Sequence, residues 1–250
     1  MVCNDPREVV MVKRFTSYEE IENLCEAAVK DFFKRKHYTN SCCVEIEGFV
    51  TDYLGLPIVY EKMREPDMGR IGYLSDGERP IWVYRGGKTI QVLFPANVIV
   101  IDDSMQQTKE IGRKRFTIAH EAGHFILERH VPAQTHAAFH SEFDVEMNYS
   151  TDMMREMMSM NEAFANRAAG YLLMPRFLVE RTLKKYNDSK KLITYDGYVM
   201  PQETKLLIQS MADSLGVNYT PCFMRLKELN LFDAHPIEEY IGSKLCFGST

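Results

Sequence analysis

Between Leu56 and Asp102 the apolar residues fall in short runs, and from Gly112 onward they fall at helical spacing; this single change of period constrains the fold more than any other feature. Leu56 to Glu61, Arg70 to Leu74, Pro80 to Arg85, Thr89 to Phe94 and Val98 to Asp102 read as strands. Turn signals such as Asp76-Gly77 and Gly86-Gly87 separate them, as expected for a small antiparallel meander. Helical patterns then cover Arg113 to Glu128, Arg155 to Met174, Arg176 to Lys185, Glu203 to Leu215 and Thr220 to Leu229. Strands first and helices later, without βαβ alternation, place the chain in the α+β class.

Before the strands, Ser17 to Lys36 puts Ile21, Leu24, Cys25, Ala28, Val29, Phe32 and Phe33 on one stripe, with Ser17 and Glu20 spaced as a capping box. A shorter helix fits Glu45 to Tyr53, stopped by Gly55. The stretch Asn187 to Pro201 lacks a clear period and reads as a connection. The expected organisation is therefore a core over residues 1–186, then a connection and helical unit over 187–250.

Five of the seven histidines lie between His120 and His140, and two of them form His120-Glu121-Ala122-Gly123-His124. On a helix these two are one turn apart, about 6 Å in rise, so both imidazoles can reach one zinc ion. Glu121 is rotated about 100° away, which lets it hold a water instead of ligating the metal. Hydrolysis assisted by zinc needs a third protein ligand and one open position. Glu162, in Asn161-Glu162-Ala163-Phe164-Ala165-Asn166, is the candidate, and Asn166, one turn further on, can fix the tautomer of a ligand imidazole. Ala119, Ala122 and Gly123 on one helix, and Ala163, Ala165, Ala168 and Ala169 on the other, permit the close approach that a shared metal requires.

Arg115-Phe116-Thr117-Ile118-Ala119-His120-Glu121-Ala122-Gly123-His124, followed by Asn161-Glu162-Ala163-Phe164-Ala165-Asn166-Arg167 and Leu172-Leu173-Met174-Pro175, resembles the ImmA/IrrE family of zinc metallo-endopeptidases. The run from Met211 to Leu229 also looks like the helical unit that follows the protease core in such proteins. The resemblance implies a zincin-like core with an HExxH active-site helix and a gluzincin-like site. In that site His120, His124 and Glu162 hold Zn2+ and Glu121 is the general base. It further implies a protein substrate of a definite kind: a helix-turn-helix (Xre-type) repressor that silences mobile elements or damage-response genes.

Other features bound the reading. The chain has 250 residues, enough to bury roughly 70% of its unfolded surface, so a zinc would serve chemistry and not mere folding. Its net charge of −5 has the wrong sign for a body lying on nucleic acid or anionic lipid. The longest apolar stretch, Val92 to Ile101, is broken by Pro95 and Asn97 and is about half a bilayer span. The start Met1-Val2-Cys3-Asn4-Asp5-Pro6 lacks a secretory pattern, and the six cysteines show no CxxC pair. Both point to a cytoplasmic protein with reduced thiols.

The connection from Phe125 to Met160 carries His130, His136, His140, Glu142, Asp144 and Tyr149, any of which could stabilise an oxyanion or occlude the site. Met153, Met154, Met157, Met158 and Met160 there read as an adaptable packing face. On the carboxy-terminal helix pair, Lys205, Arg225 and Lys227 are the only basic residues, so packing or substrate docking is favoured over DNA binding. The alternative reading is a non-catalytic DNA-associated regulator or interaction protein with a structural metal site.

Overall fold

A computed structural model describes residues 17–64, 71–130, 160–196 and 199–239. Helix α1, Tyr18–Lys36, begins on the expected capping box: the Glu20 amide donates to Ser17 Oγ, and the Ser17 amide donates to the Glu20 carboxylate. Its stripe of Ile21, Cys25, Val29, Phe32 and Phe33 is buried, and it ends where His37 turns left-handed. The second helical segment is short, α2 over Ile46–Gly48 running into a π-helical turn at Phe49–Tyr53. There Phe32 and Phe49 meet edge to face and Phe49 stacks on Tyr53.

The five expected strands are all present, as β1 (Ile58–Glu61), β2 (Gly72–Leu74), β3 (Ile81–Arg85), β4 (Lys88–Val92) and β5 (Ile99–Asp102). Their pairing is not an antiparallel meander. β5 lies between β1 and β2, parallel to the first and antiparallel to the second, while β3 and β4 form a separate hairpin. The reason lies in the run Ile99-Val100-Ile101, in which every residue is fully buried. A strand apolar on both faces must be central and covered twice. Ile99 and Ile101 join the main helical core, whereas Val100 joins a smaller core with Met63, Tyr73, Ile81, Val83, Phe94 and Val98 beneath the hairpin. The Gly86-Gly87 turn does join β3 to β4, with both glycines at positive φ as a two-residue hairpin turn demands.

Two 3₁₀ turns, Asp103–Gln106 and Thr108–Glu110, lead into the long helix α3, Ile111–His130. After it come α4 (Met160–Leu173), α5 (Arg176–Asn187), α6 (Gln202–Leu215) and α7 (Tyr219–Glu228). The reading of Asn187 to Pro201 as plain connection is corrected: Leu192–Tyr195 is a strand, β6, which pairs in parallel with β7, Phe232–His235. Four residues are too few to set a period, and the partner strand lies far along the chain.

α3 packs against β2 and β5 on one side and against α4 on another, and α4 in turn packs on α1. The main core runs without interruption from Ile21 of α1 through Ile118 and Ala122 of α3 to Ile208, Met211 and Leu226 of the last helices. Arg225 is 3% exposed, with ion pairs to Glu22 of α1 and Glu228, and its guanidinium lies 4.6 Å from the Tyr171 ring of α4. Among the described residues no helix is long and apolar enough to cross a membrane.

Candidate metal centre

α3 begins at Ile111 and carries the RFTIAHEAGH sequence through its middle. Arg115 anchors it, donating to the carbonyls of Gly216 and Val44 at 2.8 Å each. Beyond Arg115, the residues Thr117, Ile118, Ala119, Ala122 and Gly123 are all buried. The small residues act as the spacing suggested: a Cβ placed on Gly123 would sit 3.0 Å from Ala168 Cβ and 3.1 Å from the Ala165 carbonyl of α4. Nothing larger than glycine leaves α3 and α4 at this separation.

That close contact brings Glu162 of α4 against the two histidines of α3. His120 Nε2 lies 3.0 Å from His124 Nε2 and 3.2 Å from Glu162 Oε2, and His124 Nε2 lies 3.5 Å from Glu162 Oε1. One ligand atom from each of the three side chains falls within 4.8 Å of the others. Asn166, also on α4, presents its Oδ1 at 2.9 Å from His120 Nδ1. A carboxamide oxygen only accepts, so His120 Nδ1 donates the proton and Nε2 offers its lone pair to the cluster. Two imidazole nitrogens and a carboxylate brought this close together are a donor set suited to a divalent cation such as zinc.

Glu121 stands apart from this set, as its rotation on the helix requires. Its side chain is 1% exposed and faces β2, where its Oε1 approaches Gly72. Glu121 thus follows His120 directly in α3 while its carboxylate is buried against β2, outside the three-residue donor set. Glu162 is 4% exposed, whereas His120 and His124 are partly open.

Of the other residues singled out from the sequence, His130 is exposed at the end of α3. His136, His140, Glu142, Asp144, Tyr149, Met153, Met154, Met157 and Met158 lie outside the described residues, as does the side chain of Met160. Arg225, one of the three basic residues on the carboxy-terminal helix pair, points inward to Glu22 and Glu228. The cysteines stay free thiols where described, and burial pushes both Cys25 and Cys222 up to about 12.

Two contributors were missed by sequence reasoning. Gly72 allows β2 to lie on α3, and an isolated glycine inside a strand pattern is the signal that could have found it. The Arg225, Glu22, Glu228 and Tyr171 network, which binds α4 to α1 and α7, left no signal, because its members are spread from residue 22 to residue 228.

A family model described as the IrrE N-terminal-like domain, of the peptidase M78 type, matches residues 51–195, more than half the chain. No curated individual protein matches. The matched span holds every residue of the cluster, from Gly72 through His120, Glu121 and His124 to Glu162 and Asn166.

Proposed function

Because this chain belongs to the peptidase M78 family of IrrE N-terminal-like domains, which are metallopeptidases, we propose that it is a zinc-dependent endopeptidase. In this reading His120, His124 and Glu162 hold the metal and Glu121 is the general base. What carries the reading is the convergence of three ligand atoms, each within 4.8 Å of the others, next to a buried glutamate that is not one of them.

Zinc, when bound, supplies a Lewis acid that lowers the pKa of water toward about 7. The protein's own groups do the rest. Asn166 holds His120 in the tautomer that leaves Nε2 free for the metal. Glu121 accepts the proton of the attacking water at its carboxylate and returns it to the leaving amine, so the group ends the cycle ionised as it began. Its burial keeps bulk water from competing for that proton. β2, one of the two strands of the three-stranded sheet that touch α3, is its edge strand and among the described residues is paired on one side only. An extended substrate segment added along its other side would bring a peptide bond past Glu121.

The substrate class rests on the family resemblance: a helix-turn-helix repressor, cut between its DNA-binding and dimerisation parts, in the reducing cytoplasm. Direct DNA binding by this chain is disfavoured by its net charge of −5 and by the inward-facing Arg225. The competing view, a DNA-associated regulator with a structural metal, gives the buried Glu121 no task, and a structural zinc is ordinarily closed by four protein ligands.

The test combines metal analysis with proteolysis. Protein purified without added metal should contain one zinc per chain, and Glu162→Ala or His124→Ala should lose it. Glu121→Gln should keep the zinc and lose repressor cleavage by about 10²- to 10⁴-fold, the worth of a general base. Full zinc retention by Glu162→Ala would remove the third-ligand assignment. Undiminished cleavage by Glu121→Gln would remove the base.

A further inference from the structure

β2 meets α3 at one point with no room to spare. Gly72 is buried there, and a Cβ on it would lie 2.4 Å from Thr117 Cγ2, 2.8 Å from Glu121 Oε1 and 3.4 Å from Glu121 Cγ. Gly72 is not among the glycines with positive φ, so the backbone itself would accept an L-residue. Space alone excludes one.

The two close contacts differ in kind. Thr117 is β-branched and its Oγ1 donates to the Arg113 carbonyl at 3.0 Å, which holds its rotamer and makes the clash with Cγ2 a matter of fold. Glu121 Oε1 is the end of a flexible side chain, so a methyl at position 72 would displace it at little cost in stability. To restore an ordinary contact of 3.4 Å from 2.8 Å, the oxygen must move about 0.6 Å. A catalytic group misplaced by 1 Å can cost about 10²-fold in rate.

We infer that Gly72 is a positioning residue for peptide hydrolysis: by lacking a side chain, it leaves the space that seats the Glu121 carboxylate against β2. The inference rests on Glu121 being the proton acceptor. It assigns to the edge strand a task beyond presenting backbone to a substrate, since the strand also fixes the base on the neighbouring helix.

Four variants test it: Gly72→Ala, Thr117→Ala, the double Gly72→Ala/Thr117→Ala, and Glu121→Gln. The substrate is a quenched fluorescent peptide picked from a random library by its cleavage with the unaltered protein, and each variant is also measured for zinc content and thermal midpoint. Thr117→Ala should retain full kcat. Gly72→Ala should lower both the midpoint and kcat, with KM within about twofold and zinc unchanged. The double variant relieves the clash with Thr117 but not the one with Glu121, so its midpoint should recover while kcat stays about 10- to 100-fold down. A crystal structure of the double variant should show Glu121 Oε1 displaced. Recovery of kcat together with the midpoint would overturn the inference and leave Gly72 a packing residue. Should Gly72→Ala fail to fold, the double variant alone decides. Undiminished kcat in Glu121→Gln would sink the underlying assignment whatever position 72 does, whereas loss there beside a fully active double variant would sink this inference only.

Discussion

Gly123→Ala adds one methyl group where α3 and α4 touch. Its Cβ would sit 3.0 Å from Ala168 Cβ and 3.1 Å from the Ala165 carbonyl oxygen, and neither atom belongs to a side chain that can swing aside. Carbon atoms rest at about 3.5 Å or beyond, so the helices must part by roughly 0.5 Å. Glu162 lies one turn before Ala165, and His124 is the next residue after Gly123, so that parting falls directly on the distances between ligand atoms. Metal sites hold their distances to about ±0.2 Å. We expect zinc affinity to fall by about 10- to 100-fold, the range found when a ligand loses its support. Stability should change less. An alanine in a helix interior gains about 1 kcal/mol over glycine, and overpacking costs about 1–3 kcal/mol. The net is a destabilisation of roughly 0–2 kcal/mol, or a few degrees in the midpoint for a chain of this size. Competition for zinc with a chromophoric chelator, run beside thermal melting, separates the two effects. Affinity within twofold of the parent, together with a midpoint raised as the helix propensity alone dictates, would refute the close packing from which the argument starts.

Asn166→Ala removes the acceptor facing His120 Nδ1 and should weaken zinc binding by about 10- to 100-fold while leaving the melting midpoint nearly unchanged; equal affinity by chelator competition would show that the hydrogen bond does not orient the ring. Arg225→Ala strips the buried cation from Glu22 and Glu228 and should cost about 3–5 kcal/mol in urea unfolding; a loss under 1 kcal/mol would show that the network is not what docks α7. Acid should weaken the same contact. Burial pushes Glu228 up, but hydrogen bonds from Tyr171 and Arg225 and the charges of Arg225 and Arg167 outweigh it and hold the carboxyl below its usual value of 4.5. A carboxyl lowered on folding contributes stability that is fully present above its unfolded value and is lost as pH falls through the folded one. The difference in midpoint between the parent and Glu228→Gln should therefore be constant near neutral pH and shrink below about pH 4.5, and a difference that persists unchanged to pH 3 would contradict the assignment.

The parts of the fold legible in the sequence were those written in local spacing. Ser17 and Glu20 announce α1 because both hydrogen bonds of the box form within one turn. Gly86-Gly87 announces the hairpin because the turn requires two positive φ angles. His120, His124 and Glu162 could be named together because helical period and small residues already imply two helices side by side, and the structure brings these three side chains to one place. Pairing order was not legible. Nothing local tells β5 to accept β1 in parallel, since that choice follows from covering both faces of Ile99-Val100-Ile101 with material from distant segments. β6 stayed hidden for a related reason, as its four residues gain their hydrogen bonds only from β7. Gly72 gave a signal, but its meaning depended on knowing that Thr117 and Glu121 lie opposite.

The division of the cluster between α3 and α4 has a consequence in time. A ribosome adding roughly 5–20 residues per second releases His120, Glu121 and His124 several seconds before Glu162. During that interval the chain holds two of the three clustered side chains, but not the carboxylate or the Asn166 support that come with the second helix. The last strut, Arg225 beneath Tyr171, arrives later still and reaches back to Glu22 near the start of α1. In a growing chain the three side chains can therefore meet only after the second helix has been made, and the Arg225 brace can close only after the last one.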